Sequence, residues 1–353
     1  MKILHIATLG RTGISGVGSV VISQQKAQEQ NGHIAKVALI LDNAITGRNG
    51  SFTYVSTYDD FKVYISEFTP DIVIFHSLFY REYIKFSKFC KKLRIPYIIT
   101  LHGAGTEQNM KKNKWKKQIA LFFFFKKFIR NAAALSFLSK QEIERNQLKH
   151  LCKKHIIVPN GIDKISPRKE VHVNERLQIM FLGRISYYDK ALDVLLDAFG
   201  IIEMRGLDKQ ISFTFYGPRY DDQFLKDIER YKTFVTWHEP IYGEEKIKAY
   251  HENDIYILTS RSEGMPMGVL EALSCGMPCL VTPQTNMAEL IEENDAGWVT
   301  DLGAIQIADT IERALTDYKN RCVQLSNNAI NAVNCFTWDK IAEDAVCKYK
   351  ELI

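Results

Sequence analysis

The chain has no run of about 18 apolar residues, so no segment is expected to cross a membrane. Its opening apolar stretch, Ile3–Ala7, is too short for a secretory leader and ends at Gly10-Arg11. The seven cysteines form no Cys-x-x-Cys pair and no metal-ligand cluster, and their number is odd. That pattern favours reduced thiols in a cytoplasmic protein over a disulfide framework. No Asp-x-Asp motif stands at a strand end, since Asp59-Asp60 and Asp221-Asp222 are adjacent pairs. No bound metal or resident cofactor is therefore expected. Low-complexity stretches and readable internal repeats are also missing, as is any recognisable nucleic-acid-binding module, so no nucleic-acid partner is expected.

What is present is ordinary in bulk and uneven in detail. A length of 353 residues accommodates two cores, and 46% hydrophobic with 25% charged residues is the balance of a globular protein. The net charge of +5 hides a step: residues 1–165 hold 26 basic and 11 acidic side chains, and the remainder holds 20 and 30. The two parts thus carry +15 and −10, which points to two domains with different surroundings.

Short apolar runs alternate with helical patterns. Lys2–Leu9, Ala35–Leu41, Ile72–His76, Tyr97–Leu101, Ala133–Leu138 and His155–Val158 read as buried strands. A helix is expected over about Val17–Asn31. The pattern breaks at Pro159-Asn160-Gly161-Ile162-Asp163, and a polar stretch to about Arg176 reads as a linker. Strands restart at Gln178–Leu182, Ser212–Tyr216, Asp254–Thr259 and Pro278–Thr282, with helices at Ala191–Met204 and Met267–Ser274. Trp338–Leu352 has helical apolar spacing. The expected architecture is α/β, two Rossmann-like doubly wound domains facing a central cleft, with ligands at the carboxyl ends of the strands.

Three motifs carry chemistry. Gly13-Ile14-Ser15-Gly16-Val17-Gly18 follows the first strand; it suits a backbone approach to phosphate or a plain tight turn, and it does not fit G-x-G-x-x-G. Gly183-Arg184 sits past a strand end and Lys190 before a helix, where two cations neutralise a diphosphate leaving group or are merely solvated surface charge. The strongest signal is Glu263-Gly264-Met265-Pro266-Met267-Gly268-Val269-Leu270-Glu271. Two carboxylates flank a glycine-containing turn at a helix start, an arrangement hard to explain as solvation alone.

With Glu263 and Glu271 in a Glu-x7-Glu pattern, the chain resembles the retaining GT-B glycosyltransferases of family 4, the glycosyl transferases group 1. Other motifs agree in order: Gly32-His33, Pro70-Asp71-Ile72-Val73, Thr100-Leu101-His102-Gly103, Pro159–Asp163, Gly183-Arg184, Glu271–Pro278 and Phe336-Thr337-Trp338. The resemblance implies roles. Arg184 and Lys190 would hold the donor diphosphate, and Glu271 the ribose. Glu263, with the backbone of Met265, Met267, Gly268 and Val269, would hold the transferred sugar. Gly16 would approach the diphosphate from the other domain, and His102 would face the donor sugar. Ile241 falls in Val235–Ile241, which stands where a base-binding loop is usual, and uracil is the default base. Residues 1–165 would form the acceptor domain, with helix 338–353 packed back on it, and 166–337 the nucleotide-sugar domain. Lys190 is followed by Ala191 where glycine is frequent.

Lys111–Arg130 holds eight basic residues, no acid and six large aromatics. It fits an interfacial helix on anionic lipid, with Lys111, Lys112, Lys114, Trp115, Lys116 and Lys117 at the surface. A core helix with a solvated basic face is the alternative. The expectation is a cytoplasmic enzyme, peripheral on the inner face of the membrane, that passes a sugar from a nucleotide-diphosphate sugar to a lipid-linked or cell-surface glycan precursor. A sugar-nucleotide epimerase on the same fold would need further cleft carboxylates that cannot be identified. A non-catalytic partner subunit is disfavoured by intact Arg184, Lys190, Glu263 and Glu271.

Overall fold

The computed structural model describes residues 1–8, 16–40, 53–55, 57–111, 114–168, 174–218 and 222–353. Two compact units emerge, Met1–Gly161 with Phe336–Ile353, and Ile162–Cys335.

In the first unit, seven strands form one parallel sheet. They are β1 (Lys2–Thr8), β2 (Ile34–Ile40), β3 (Thr53–Tyr54), β4 (Ile72–His76), β5 (Tyr97–Thr100), β6 (Ala134–Phe137) and β7 (His155–Ile157), in the order β3-β2-β1-β4-β5-β6-β7. The continuous apolar runs follow from burial on both faces. Along β4 the side chains divide with period two. Val73 and Phe75 join the core that includes Leu4, Ile6 and Ile99, whereas Ile72 and Ile74 join Ile3 and Ile98 on the other face. Helix Trp338–Lys350 covers that second face with Ile341, Ala345, Val346 and Tyr349. Ile341 and Val346 each contribute about 1.5–3 kcal/mol by this burial. The docking is pinned by Lys348 Nζ donating to Ile157 O at 2.7 Å and Asn31 Nδ2 to Asp339 O at 3.0 Å. A Cβ on Gly161 would lie 2.9 Å from Trp338 Cα, so the chain leaves this unit against the point where it returns.

The second unit has six parallel strands: β8 (Leu177–Leu182), β9 (Ile211–Tyr216), β10 (Val235–His238), β11 (Ile255–Leu258), β12 (Cys279–Val281) and β13 (Gly297–Val299). Their order, β10-β9-β8-β11-β12-β13, is that of dinucleotide-binding sheets, whose switch point lies between the first and fourth strands in sequence, here β8 and β11.

Two expectations are corrected. Part of the polar stretch read as a linker is docked on the second unit. Arg168 is buried and donates to Gly276 O at 2.7 and 3.2 Å, Asn253 O at 3.3 Å and Tyr318 OH at 3.1 Å. Val235–His238, read as the start of a loop, is instead the edge strand β10, paired with β9.

Candidate functional site

The second unit gathers its polar residues at the switch point. Gly183 and Arg184 follow β8, and Thr259–Pro266 follow β11. Backbones crowd here. Gly217, at the end of β9 with φ +153°, would place a Cβ 1.7 Å from Gly183 O. Gly268, in the first turn of helix Met267–Ser274, would place one 2.3 Å from Tyr256 Oη. That hydroxyl donates to Leu182 O at 2.9 Å, so the helix start is held against the end of β8 and a side chain at 268 would break the fit. Arg184 is exposed beside it.

Lys190 and Glu263 meet. Lys190 Nζ lies 2.5 Å from Glu263 Oε1, which also accepts from Ser260 Oγ at 2.6 Å. Both charged side chains are largely buried, at 13% and 19% exposure, so the pair is shielded from the screening that weakens surface ion pairs. Oε2 of Glu263 has no partner among the described residues, and an ammonium has three donors. The pair can therefore offer one free carboxylate oxygen and two free N–H groups to a ligand. The carboxylate's backbone is fixed by Asn286 Nδ2, which donates to Glu263 O at 2.8 Å and Gly264 O at 3.0 Å, and by Glu263 N on Gln284 O. Ala191 takes φ +50° and ψ 38°, a left-handed conformation costing about 1–2 kcal/mol without glycine. This explains why glycine is frequent at that position; Ala191 is held there by complete burial and the Ala191 N to Tyr188 O bond.

Glu271 lies on helix Met267–Ser274, and its Oε1 accepts from Lys246 Nζ at 2.8 Å and Oε2 from Tyr250 Oη at 3.0 Å. A carboxylate has about four acceptor sites, so two remain for hydroxyls. Sequence reasoning passed over Lys246 and Tyr250, as it did Ser260 and Asn286. The i, i+4 spacing of Lys246 and Tyr250 on helix Gly243–Glu252 was the available signal. Met267 and Gly268 sit in the first helical turn, where N–H groups lack intrahelical acceptors. Val269 is fully buried and its N–H donates to Pro266 O, so its side chain belongs to the core. Met265 is buried, and Ile241 is half-buried between β10 and helix Gly243–Glu252.

In the first unit, Gly16 is exposed at the start of helix Gly16–Gln30, and Gly13, Ile14 and Ser15 lie outside the described residues. His102 follows β5 with φ +49°. The Gly103 N–H next to it donates to Glu142 Oε1 at 2.6 Å, and Leu138 N–H to Oε2 at 2.6 Å. Burial pushes the Glu142 carboxyl up to about 7, against the pull of those two bonds. His102 Nε2 is 2.9 Å from His76 Nδ1, and His76 Nε2 is 2.9 Å from His5 Nδ1. His76 has both ring nitrogens engaged in this row and is buried.

The basic aromatic segment divides. Helix Lys114–Ala120, the π-helical turn Leu121–Phe125 and helix Lys126–Arg130 follow one another. The wider π turn shifts the helical phase. Phe125, Phe128 and Ile129 turn into the core, while Trp115, Ile119, Phe122, Phe123 and Phe124 stay 55–79% exposed. Lys114 and Lys116 are exposed beside them, whereas Lys111 pairs with Glu107 and Lys117 donates to Asn109 O. Lys112 lies outside the described residues.

Comparison with known proteins bears on the family and the fold. The family described as Glycosyl transferases group 1 matches residues 163–332, and Glycosyltransferase Family 4 matches 15–164. An uncharacterized glycosyltransferase of Methanocaldococcus jannaschii is 26% identical over 270 residues, 74% of this chain and 70% of that one. A second from that organism is 27% identical over 195 residues, 53% of this chain and 48% of that one. The chain thus spans about half the length of several curated relatives it matches. Sucrose-phosphate synthase of Thermosynechococcus elongatus shares the fold at a TM-score of 0.74 and 16% identity, covering 100% of this chain and 99% of that one. Anabaena HepE, solved in complex with UDP and glucose, does so at 0.72 and 18%, covering 99% and 100%. With both family descriptions falling on the two Rossmann-like units in turn, the chain belongs to the group 1, family 4-like GT-B glycosyltransferases.

Proposed function

We propose that the protein transfers a sugar from a nucleoside-diphosphate sugar to an acceptor hydroxyl, with retention at the anomeric carbon and without a metal ion. The observation that carries this reading is the Lys190–Glu263 pair beside Arg184 at the switch point. As the donor breaks, negative charge grows on the departing diphosphate, and Lys190 and Arg184 are the cations assigned to it. The free oxygen of Glu263 accepts from a hydroxyl of the transferred sugar, and Glu271 accepts from the ribose. His102 is assigned to a sugar hydroxyl. The acceptor attacks as the diphosphate leaves, on the same face, and the leaving phosphate takes the acceptor proton. UDP is the proposed carrier, a reading supported by likeness to a protein solved with UDP and glucose. A panel of nucleotide sugars incubated with the protein tests it. Release of nucleoside diphosphate from at least one donor, slow without acceptor, is expected. Interconversion of the sugar with no diphosphate released would favour an epimerase, and silence on every donor a non-catalytic subunit.

The acceptor is proposed to be a lipid-linked or cell-surface glycan precursor reached at an anionic membrane. Support comes from the exposed Trp115, Ile119 and Phe122–Phe124 beside exposed Lys114, Lys116, Lys127 and Arg130. Each basic residue near an anionic surface contributes about 1 kcal/mol, and inserted aromatics add a part that salt does not screen. Flotation with anionic vesicles is expected to carry the protein at low salt, and neutral vesicles are not. Trp115→Ser with Phe122→Ser and Phe123→Ser should abolish the salt-resistant part. A wild-type protein left wholly in the soluble fraction at low salt would end the membrane reading.

A further inference from the structure

A row of buried polar groups runs behind His102. Gln28, on helix Gly16–Gln30, touches His5 on β1; His5 touches His76 on β4; His76 touches His102 after β5. Three adjacent elements of the sheet thus place three imidazoles in one hydrogen-bonded line, with spacings of 2.8, 2.9 and 2.9 Å. Gln28, His5 and His76 are buried, and only the His102 end keeps surface. Nδ1 of His102 has no partner among the described residues.

A neutral imidazole carries one proton, so a line of neutral rings has only two states. Every ring holds its proton on Nδ1, or every ring holds it on Nε2. Mixed states set two N–H groups, or two lone pairs, against each other. All three rings stay neutral near pH 7, because burial drives His5 and His102 down to about 4 and His76 well below its usual value. The choice between the two states falls to the inner end of the line. There the Gln28 oxygen lies against His5 Nε2, which leaves the amide nitrogen buried with no partner among the described residues. Half a turn of the amide exchanges two groups of nearly equal size and gives the nitrogen His5 Nε2 as its acceptor. A buried carbonyl oxygen without a partner is better tolerated than a buried N–H without one.

We propose that Gln28 is a positioning residue for His102: its amide nitrogen donates to His5, His5 donates to His76, His76 donates to His102, and His102 presents an N–H at Nδ1. In that state His102 is a hydrogen-bond donor held in one tautomer from the far side of the sheet. It gives its N–H to an oxygen of the sugar and accepts nothing from it. The functional consequence rests on the sugar role assigned to His102 above; the tautomer does not.

The test is made on the full chain labelled with 15N at histidine. Long-range proton–nitrogen spectra separate protonated from lone-pair ring nitrogens. In the wild type, all three rings are expected to show protonated Nδ1. Gln28→Met keeps the bulk and removes the donor, and is expected to give mixed tautomers at His102. It should lower kcat by no more than about tenfold, the worth of one hydrogen bond, with nucleoside-diphosphate affinity unchanged. Protonated Nε2 at His102 in the wild type overturns the proposal without any variant. An unchanged tautomer in a folded Gln28→Met protein overturns it as well. His102→Ala separates the two claims: wild-type turnover in that variant removes the sugar contact, while the spectra alone decide the tautomer.

Discussion

Lys190→Ala is expected to lower kcat at least about 100-fold, the usual consequence of removing a charge stabiliser at a leaving group. Arg184→Ala should act in the same direction. Lys190 has the tighter setting, because its ammonium sits 2.5 Å from Glu263 at 13% side-chain exposure. The replacement therefore removes a cation from the diphosphate and also leaves Glu263 with Ser260 alone. A negative charge near the departing group then opposes the reaction it was placed to assist. Steady-state turnover with a competent donor measures this. Turnover within a few-fold of wild type in both variants would remove the two cations from the mechanism.

Glu271→Ala is expected to weaken nucleoside-diphosphate binding by roughly 10- to 100-fold, since hydrogen bonds to a charged group contribute about 1.5–3 kcal/mol. The cause is specific to its environment. Lys246 and Tyr250 occupy one site on each carboxylate oxygen and orient the group, leaving the others for ribose. Glu263→Ala should leave the affinity for free nucleoside diphosphate nearly intact and depress kcat/KM for the sugar donor. Calorimetry with nucleoside diphosphate alone separates the two glutamates. Equal losses in both variants would mean that neither is dedicated to ribose or sugar.

The fold was legible because a parallel sheet buried on both faces writes each strand as an uninterrupted apolar run, as Ile72–Phe75 and Ile255–Leu258 do. Elements without that signature escaped. Thr53–Tyr54 is two residues long, and Gly297–Val299 is three with a glycine at its start. Val235–His238 is an edge strand whose polar Thr236 and His238 alternate with apolar residues, so it reads as a loop. In the site, the spacing of Glu263 and Glu271 was visible because one turn and one helix carry both. Lys190 was visible as a cation but not as the partner of Glu263, and Lys246 and Asn286 were missed, because all three arrive from other elements and tertiary pairing has no local pattern. The run Phe122–Phe125 showed the limit of periodicity: a single π turn decides which ring is core, and no spacing rule announces it. The histidine line was hidden for the same reason, its members lying on β1, on β4 and after β5.

The return of the last helix to the first unit has a consequence for synthesis. Ile3, Ile72, Ile74 and Ile98 are finished early, yet the side chains that cover them, Ile341, Ala345, Val346 and Tyr349, belong to a helix made after the whole of Ile162–Cys335. At about 5–20 residues per second, the nascent first unit waits on the order of ten to thirty seconds with that apolar face uncovered. The second unit is contiguous and can close its core on the ribosome meanwhile. The molecule is thus completed out of chain order, and during that wait its earliest-made sheet is the surface most in need of a chaperone.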